Sequence, residues 1–213
     1  MKKIMFNDKY GLTQAVLEGR KTQTRRIITY PKTFKGKYVC GLYVYRWKVD
    51  GAITEICMYD ENEIPIDEGQ ILPKYKVGEV VAVAQSYEKI WLENPSAFHN
   101  PYFLRGLPSW KNKMFVRASE IPHQIRIVNV RAERLQDIQE DDCLKEGIYP
   151  YYYGDEKEKR FYEIPPNGYT FDGTDIHYSE PREAFAHLIN KVSRKDVWEE
   201  NPYVFVYDFE LVK

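Results

Sequence analysis

Residues 19–26 read GRKTQTRR, which sets four cations beside two threonine hydroxyls. Such a set can do three things. Arg20, Arg25 and Arg26 can hold phosphates, and Arg20 with Lys21 can neutralise the end of a helix. Lys21 can also act as a base toward Thr24, because a hydroxyl attacks an amide only when a neighbouring group takes its proton. Like charges on Arg20, Arg25 and Arg26, together with desolvation, would lower the pKa of Lys21 and suit it to that role. On residue type alone, a solvated turn at a helix end is the simpler reading.

The surrounding pattern supplies the elements that must position these residues. Asn7 or Asp8 can cap a helix in which Leu12, Ala15, Val16 and Gly19 share one face, with Gly19 as its left-handed terminator. The octapeptide then leaves a helix C-terminus, where each cation gains ~0.3–1 kcal/mol from the dipole. Arg25 and Arg26 lie beyond that turn. In DIQEDDCLKEG, Asp137 and Glu140 have capping-box spacing and Gly147 can close the helix. Glu146 falls in its last turn, where the dipole disfavours an anion, so it is either solvated or aimed at a cation such as Lys21. EPREAFAHLINKV, with Pro181 in a first turn, reads as another helix.

KVGEVVAVAQSY and HQIRIVNVRAERL read as strands, and Asp50-Gly51 within VYRWKVDGAITEIC as the turn of an added hairpin. PYVFVYDFELV places Tyr203, Phe205, Tyr207, Phe209 and Leu211 on the one buried face of a long strand. Arg117 is either a surface strand residue or a cation lining a site. Tyr151, Tyr152 and Tyr153 either pack a long loop or stack on a base.

Composition bounds the function classes. The 213 residues fit a single domain over 1–213, and 43% apolar residues can build its core. A net charge of −1 provides no long-range field for nucleic acid, so any such partner must meet a local patch. Cys40, Cys57 and Cys143 match no zinc or redox spacing and read as reduced packing residues. His99, His123, His177 and His187 lack metal-ligand spacing, so neither a metal nor another cofactor is expected. The absence of an apolar leader or span of ~18 residues leads to the expectation of a cytoplasmic protein without membrane contact.

Taken together, LEGRKTQTRR, KVGEVVAVAQSYE, RAERLQDIQEDDCLKEGI and NPYVFVYDFELV resemble the ASCH family, and its larger, phage-associated members above all. The resemblance covers about half the chain and leaves insertions near 31–73, 92–112 and 149–180. It implies an α+β fold: a PUA-like, mostly antiparallel β-barrel with flanking helices and inserted hairpins and loops. It also implies RNA or a modified nucleoside as partner. Small ASCH enzymes remove the acyl group of N4-acetylcytidine with a lysine, a threonine and a glutamate, which match Lys21, Thr24 and Glu146. On that basis Thr24 would be the nucleophile, Lys21 the base, and Glu146 the group that orients the base or protonates the leaving amine. Arg20, Arg25, Arg26 and Arg117 would contact nucleic acid.

The chain departs from the family where Ala82 to Tyr87 replace a Trp-Val-Arg-Glu-Thr-Trp run, losing both charges. Two further readings stand beside the enzyme: a non-catalytic RNA-binding module, and a phage-related protein-interaction module displayed on the inserted hairpin.

Overall fold

A computed structural model describes residues 1–47, 53–98, 100–152 and 167–212. Eight of the described strands form one sheet. Its spine runs β1 (Lys3–Ile4), β8 (Val80–Val83), β9 (Gln124–Arg134), β12 (Tyr203–Val212) and β2 (Gln23–Ile27), antiparallel throughout except for β1 with β8. β5 (Gly41–Trp47), β6 (Ile53–Tyr59) and β7 (Pro65–Ile71) form a meander that joins the spine where Ile53 meets Ala132. Segment 31–73 therefore extends the main sheet and is more than a decoration. The turn at Asp50-Gly51 lies outside the described residues, and the strands flanking it pair antiparallel. β3 (Thr33–Phe34) with β4 (Lys37–Tyr38), and β10 (Tyr149–Tyr151) with β11 (Gly168–Thr170), make two small separate pairs.

The helices are α1 (Leu12–Leu17), α2 (Tyr87–Glu93), α3 (Pro101–Leu104), α4 (Glu140–Lys145), α5 (Pro181–Ser193) and α6 (Val197–Glu200). Helices and antiparallel strands combine as an α+β fold. The sheet does not close into a barrel, because β1 offers only two residues and its far edge never reaches β2. A side chain spans that gap, with Arg26 Nη2 donating to the Met5 carbonyl at 2.6 Å.

Local chemistry explains where elements differ from their sequence pattern. The first helix is split: Asn7 accepts from the Lys9 N–H and caps a 3₁₀ turn, Asp8–Tyr10, before Gly11 turns the chain at φ 61° into α1. A side chain at Gly11 would collide with Asp172. The capping box at Asp137 and Glu140 does not form. Asp137 instead accepts from the Arg134 N–H at 3.3 Å, and α4 starts after Gln139 without a side-chain cap. β12 is buried on both faces, since Val204 and Val206 are fully covered. α4 and α5 bring Cys143, Ala184, Phe185 and Leu188 into the same core, so the second face has an apolar cover. Burial of the Phe185 and Leu188 side chains is worth ~1.5–3 kcal/mol each. Cys57 and Cys143 are buried, whereas Cys40 is exposed.

Candidate functional site

The register of β2 divides the octapeptide between two faces of the sheet. Directly opposed antiparallel residues share a face. Gln23 opposite Asp208 and Arg25 opposite Val206 therefore lie on the face covered by α4 and α5, and Asn129, Arg131 and Glu133 of β9 continue that face. Thr24 opposite Tyr207 and Arg26 opposite Phe205 lie on the other.

On the covered face the charges form a lattice. Arg25 Nε and Nη2 donate to Glu133 Oε1 at 3.0 and 2.6 Å, Nη2 to Asp142 Oδ2 at 3.2 Å, and Nη1 to Glu146 Oε1 at 3.2 Å and to Gln23 Oε1. These contacts occupy the donors of the guanidinium, whose side chain is 1% exposed. Arg25 is thus a structural hub, and the expectation that it meets phosphate gives way to that finding. Arg131 extends the lattice to Glu133, Asp142 and Asp208.

Lys21 and Glu146 meet where the C-termini of α1 and α4 converge. The Thr22 N–H donates to the Lys145 carbonyl at 3.0 Å, which ties the two ends together. Gly147, at φ 106°, turns the chain away at a point where a Cβ would lie 3.2 Å from Leu12. Lys21 Nζ then donates to Glu146 Oε2 at 2.5 Å and to the Glu146 carbonyl at 2.7 Å. The carboxylate that the dipole argument made suspicious has its cation, and that cation also caps the helix end. Burial pulls the Lys21 ammonium below its usual range; Glu146 opposes this, while Arg26 and Arg25 push it down further. Thr24, also buried, lies one strand position from Arg25, but among the described residues its hydroxyl makes no hydrogen bond. The structure brings Lys21 and Glu146 together and leaves the base-to-nucleophile bond unformed.

Acid should loosen this lattice. Burial by itself raises the Asp142 carboxyl, but Lys145 and Arg25 outweigh it and hold the group below its usual range. The unfolded carboxylate therefore takes up a proton before the folded one does, and stability is lost as the pH falls through the folded pKa. Urea midpoints measured between about pH 5 and pH 2 should fall less steeply for Asp142→Asn than for wild type. Equal acid slopes would show that the lattice does not set the acid limb.

On the opposite face β2 borders a cleft of about 480 Å³. Three cations, Lys3, Arg26 and Lys74, line it, and no carboxylate does; Met5, Ile28, Ile71, Leu72, Tyr75, Phe205 and Tyr207 give it apolar walls. Arg26 uses Nη2 on Met5, while its buried Nε has no partner. Phe6 stands between the two sites, its ring 5.5 Å from the Arg26 guanidinium and 5.9 Å from Lys21 Nζ. None of Lys21, Thr24 and Glu146, the residues that the resemblance assigns to catalysis, lines the cleft; each is at most 4% exposed. The octapeptide enters the fold at a helix junction, and although Thr24 shares the face of Arg26 it is buried, so only Arg26 lines the cleft.

Arg20 and Arg117 are exposed. Arg20 pairs with Glu18 at 2.7 Å and lies over the Tyr149 ring, and Arg117 precedes a 3₁₀ turn, Ala118–Glu120, where a strand was one reading. Tyr151 stacks on His177 at 3.7 Å, and Tyr153 lies outside the described residues. Lys3, Lys74 and Tyr75 were missed as cleft residues. The interleaved KYK at 74–76 was the available signal, since alternating cations and aromatics suit nucleic acid.

Among the described residues no group of three or more His, Cys, Asp or Glu side chains is placed to hold a metal ion, and no helix is long and apolar enough to cross a membrane. No family model matches the chain, and no curated protein or solved structure is significantly similar to it, so its function is read from its own geometry.

Proposed function

We propose that the protein is an ASCH-type module with a PUA-like pseudobarrel that recognises RNA, holding a nucleobase and its phosphate in the cleft beside Arg26. The observation that carries this reading is the lining: three cations, no carboxylate, and a buried Arg26 Nε without an acceptor. A phosphate oxygen supplies that acceptor, and a guanidinium is suited to it in charge and shape. The apolar walls exclude water around it and accept the flat face of a base.

The test is an anisotropy titration of a short single-stranded RNA at several salt concentrations. If Arg26 and Lys74 each neutralise one phosphate, Lys3 Nζ being held by three backbone carbonyls, log K should fall with log salt at a slope of about −1.4, since each contact on a single strand contributes roughly 0.7. Arg26→Ala should weaken binding by about tenfold or more and make the slope shallower by roughly one contact. Tight binding with no salt dependence would point to a neutral nucleoside. No binding even at low salt would sink the RNA reading and leave a protein-interaction module.

A second reading is favoured by the Lys21–Glu146 pair. In it the cleft admits an N4-acylated cytidine toward Phe6, and Lys21, having passed one proton to the Glu146 carboxylate it is paired with, takes the Thr24 proton as Oγ1 attacks the acyl carbon. The exocyclic amine leaves with that proton, and water then hydrolyses the acyl-threonine.

A further inference from the structure

Between Glu93 and Glu120 the chain carries four cations, Arg105, Lys111, Lys113 and Arg117, and no carboxylate. A chain of net charge −1 thus concentrates positive charge in one segment. Aromatic rings stand out in solvent within it: Tyr102 is 75% exposed, Phe103 74% and Phe115 62%. The segment has a small core of its own, built on Trp110 and Val116 with Tyr87, Ile90 and Ile121, and these three rings are left out of it. Arg105 holds its guanidinium 5.0 Å from the Tyr102 ring and 5.4 and 5.6 Å from Trp91 and Trp110, which orients the platform. Lys113 turns inward to the Phe6 carbonyl and Asp8, so Arg105, Lys111 and Arg117 carry the outward charge.

The segment is anchored at the cleft. Lys3, which lines it, donates from Nζ to the carbonyls of Lys113, Met114 and Val116 at 3.2, 2.7 and 2.6 Å. Exposed flat rings interleaved with cations, and unaccompanied by carboxylates, match a single nucleic-acid strand: every base has a face to stack, and every phosphate needs a counter-charge. Most protein surfaces would bring carboxylates and ammonium groups alike, and the segment offers the latter no partner.

We infer that residues 100–117 form a track for the single-stranded RNA that leaves the cleft, stacking bases on Tyr102, Phe103 and Phe115 while Arg105, Lys111 and Arg117 meet its phosphates. This rests on the RNA reading of the cleft and adds to it the path of the neighbouring nucleotides.

Fluorescently labelled oligouridylates of about three and about twelve nucleotides, one shorter than the usual length of such sites and one within it, separate the two ideas. The double variant Tyr102→Ala/Phe103→Ala changes only exposed rings, and circular dichroism verifies its fold. It should bind the short RNA as wild type does and the long RNA about tenfold or more weakly, since two stacked bases together contribute at least about 2 kcal/mol. Equal affinity of both proteins for the long RNA overturns the track while the cleft reading stands. Failure of wild type to bind either RNA overturns both. If the double variant keeps its RNA affinity but turns a dimer into a monomer in light scattering, the patch is a protein interface and the track is overturned.

Discussion

Arg25→Met should lower the stability of the protein by about 3–5 kcal/mol, the usual cost of leaving buried charges without their partner. For a chain of this size that is a fall in Tm of roughly 6–20 °C. One guanidinium joins Glu133, Asp142 and Glu146. Arg131 remains beside Glu133 and Asp142 after the substitution, but Glu146 keeps only Lys21, and Gln23 loses the donor to its Oε1. The methionine fills the volume, so the loss comes from unpaired charge rather than from a cavity. Arg20→Ala is the control from the same octapeptide: its exposed pair with Glu18 is worth about 0–1 kcal/mol, and its Tm should stay close to that of wild type. If Arg25→Met melts with wild type but loses RNA affinity, Arg25 is a phosphate contact after all.

On the amidohydrolase reading, Thr24→Val should abolish turnover of N4-acetylcytidine, by a factor on the order of 10⁴, while costing little stability. The reason is the hydroxyl's isolation. It makes no hydrogen bond among the described residues, so the fold loses little with it, whereas a nucleophile cannot be replaced. Lys21→Met should also abolish turnover, but with a large stability loss because Glu146 is then left to Arg25 alone. The rate for wild type should rise with pH and level off once Lys21 is neutral, which its burial brings below the usual lysine range. Cytidine release by Thr24→Val at the wild-type rate would remove threonine from the mechanism. No release by wild type would leave the binding reading alone.

The sequence carried the local half of the site. Gly19 and Gly147 marked the two helix ends, and both occupy the left-handed region. The helix dipole left Glu146 either solvated or aimed at a cation, and Lys21 supplies that cation across 125 residues. Helix termini announce themselves locally, because caps and periodicity act over a few residues. Alternation likewise showed that β12 buries an aromatic face.

What tertiary structure decided is which side of β2 each octapeptide residue faces, and against what. Arg25 and Arg26 are neighbours of identical chemistry, yet one is the hub of a buried lattice and the other borders an open cleft. Strand alternation sends them to opposite faces, and only the placement of α4 and α5 over one face settled which arginine would be covered. The burial of Val204 and Val206 follows from those same helices, and the open edge between β1 and β2 follows from the brevity of β1. Such outcomes depend on contacts between residues far apart in the chain, where no short pattern carries the information. In this protein the sequence alone determined the C-terminal ends of α1 and α4, the strands β8, β9 and β12, and the chemistry of the octapeptide. The fold decided which of its cations is buried in a lattice and which borders an open cleft, because burial belongs to the layers packed over a strand and not to the strand itself.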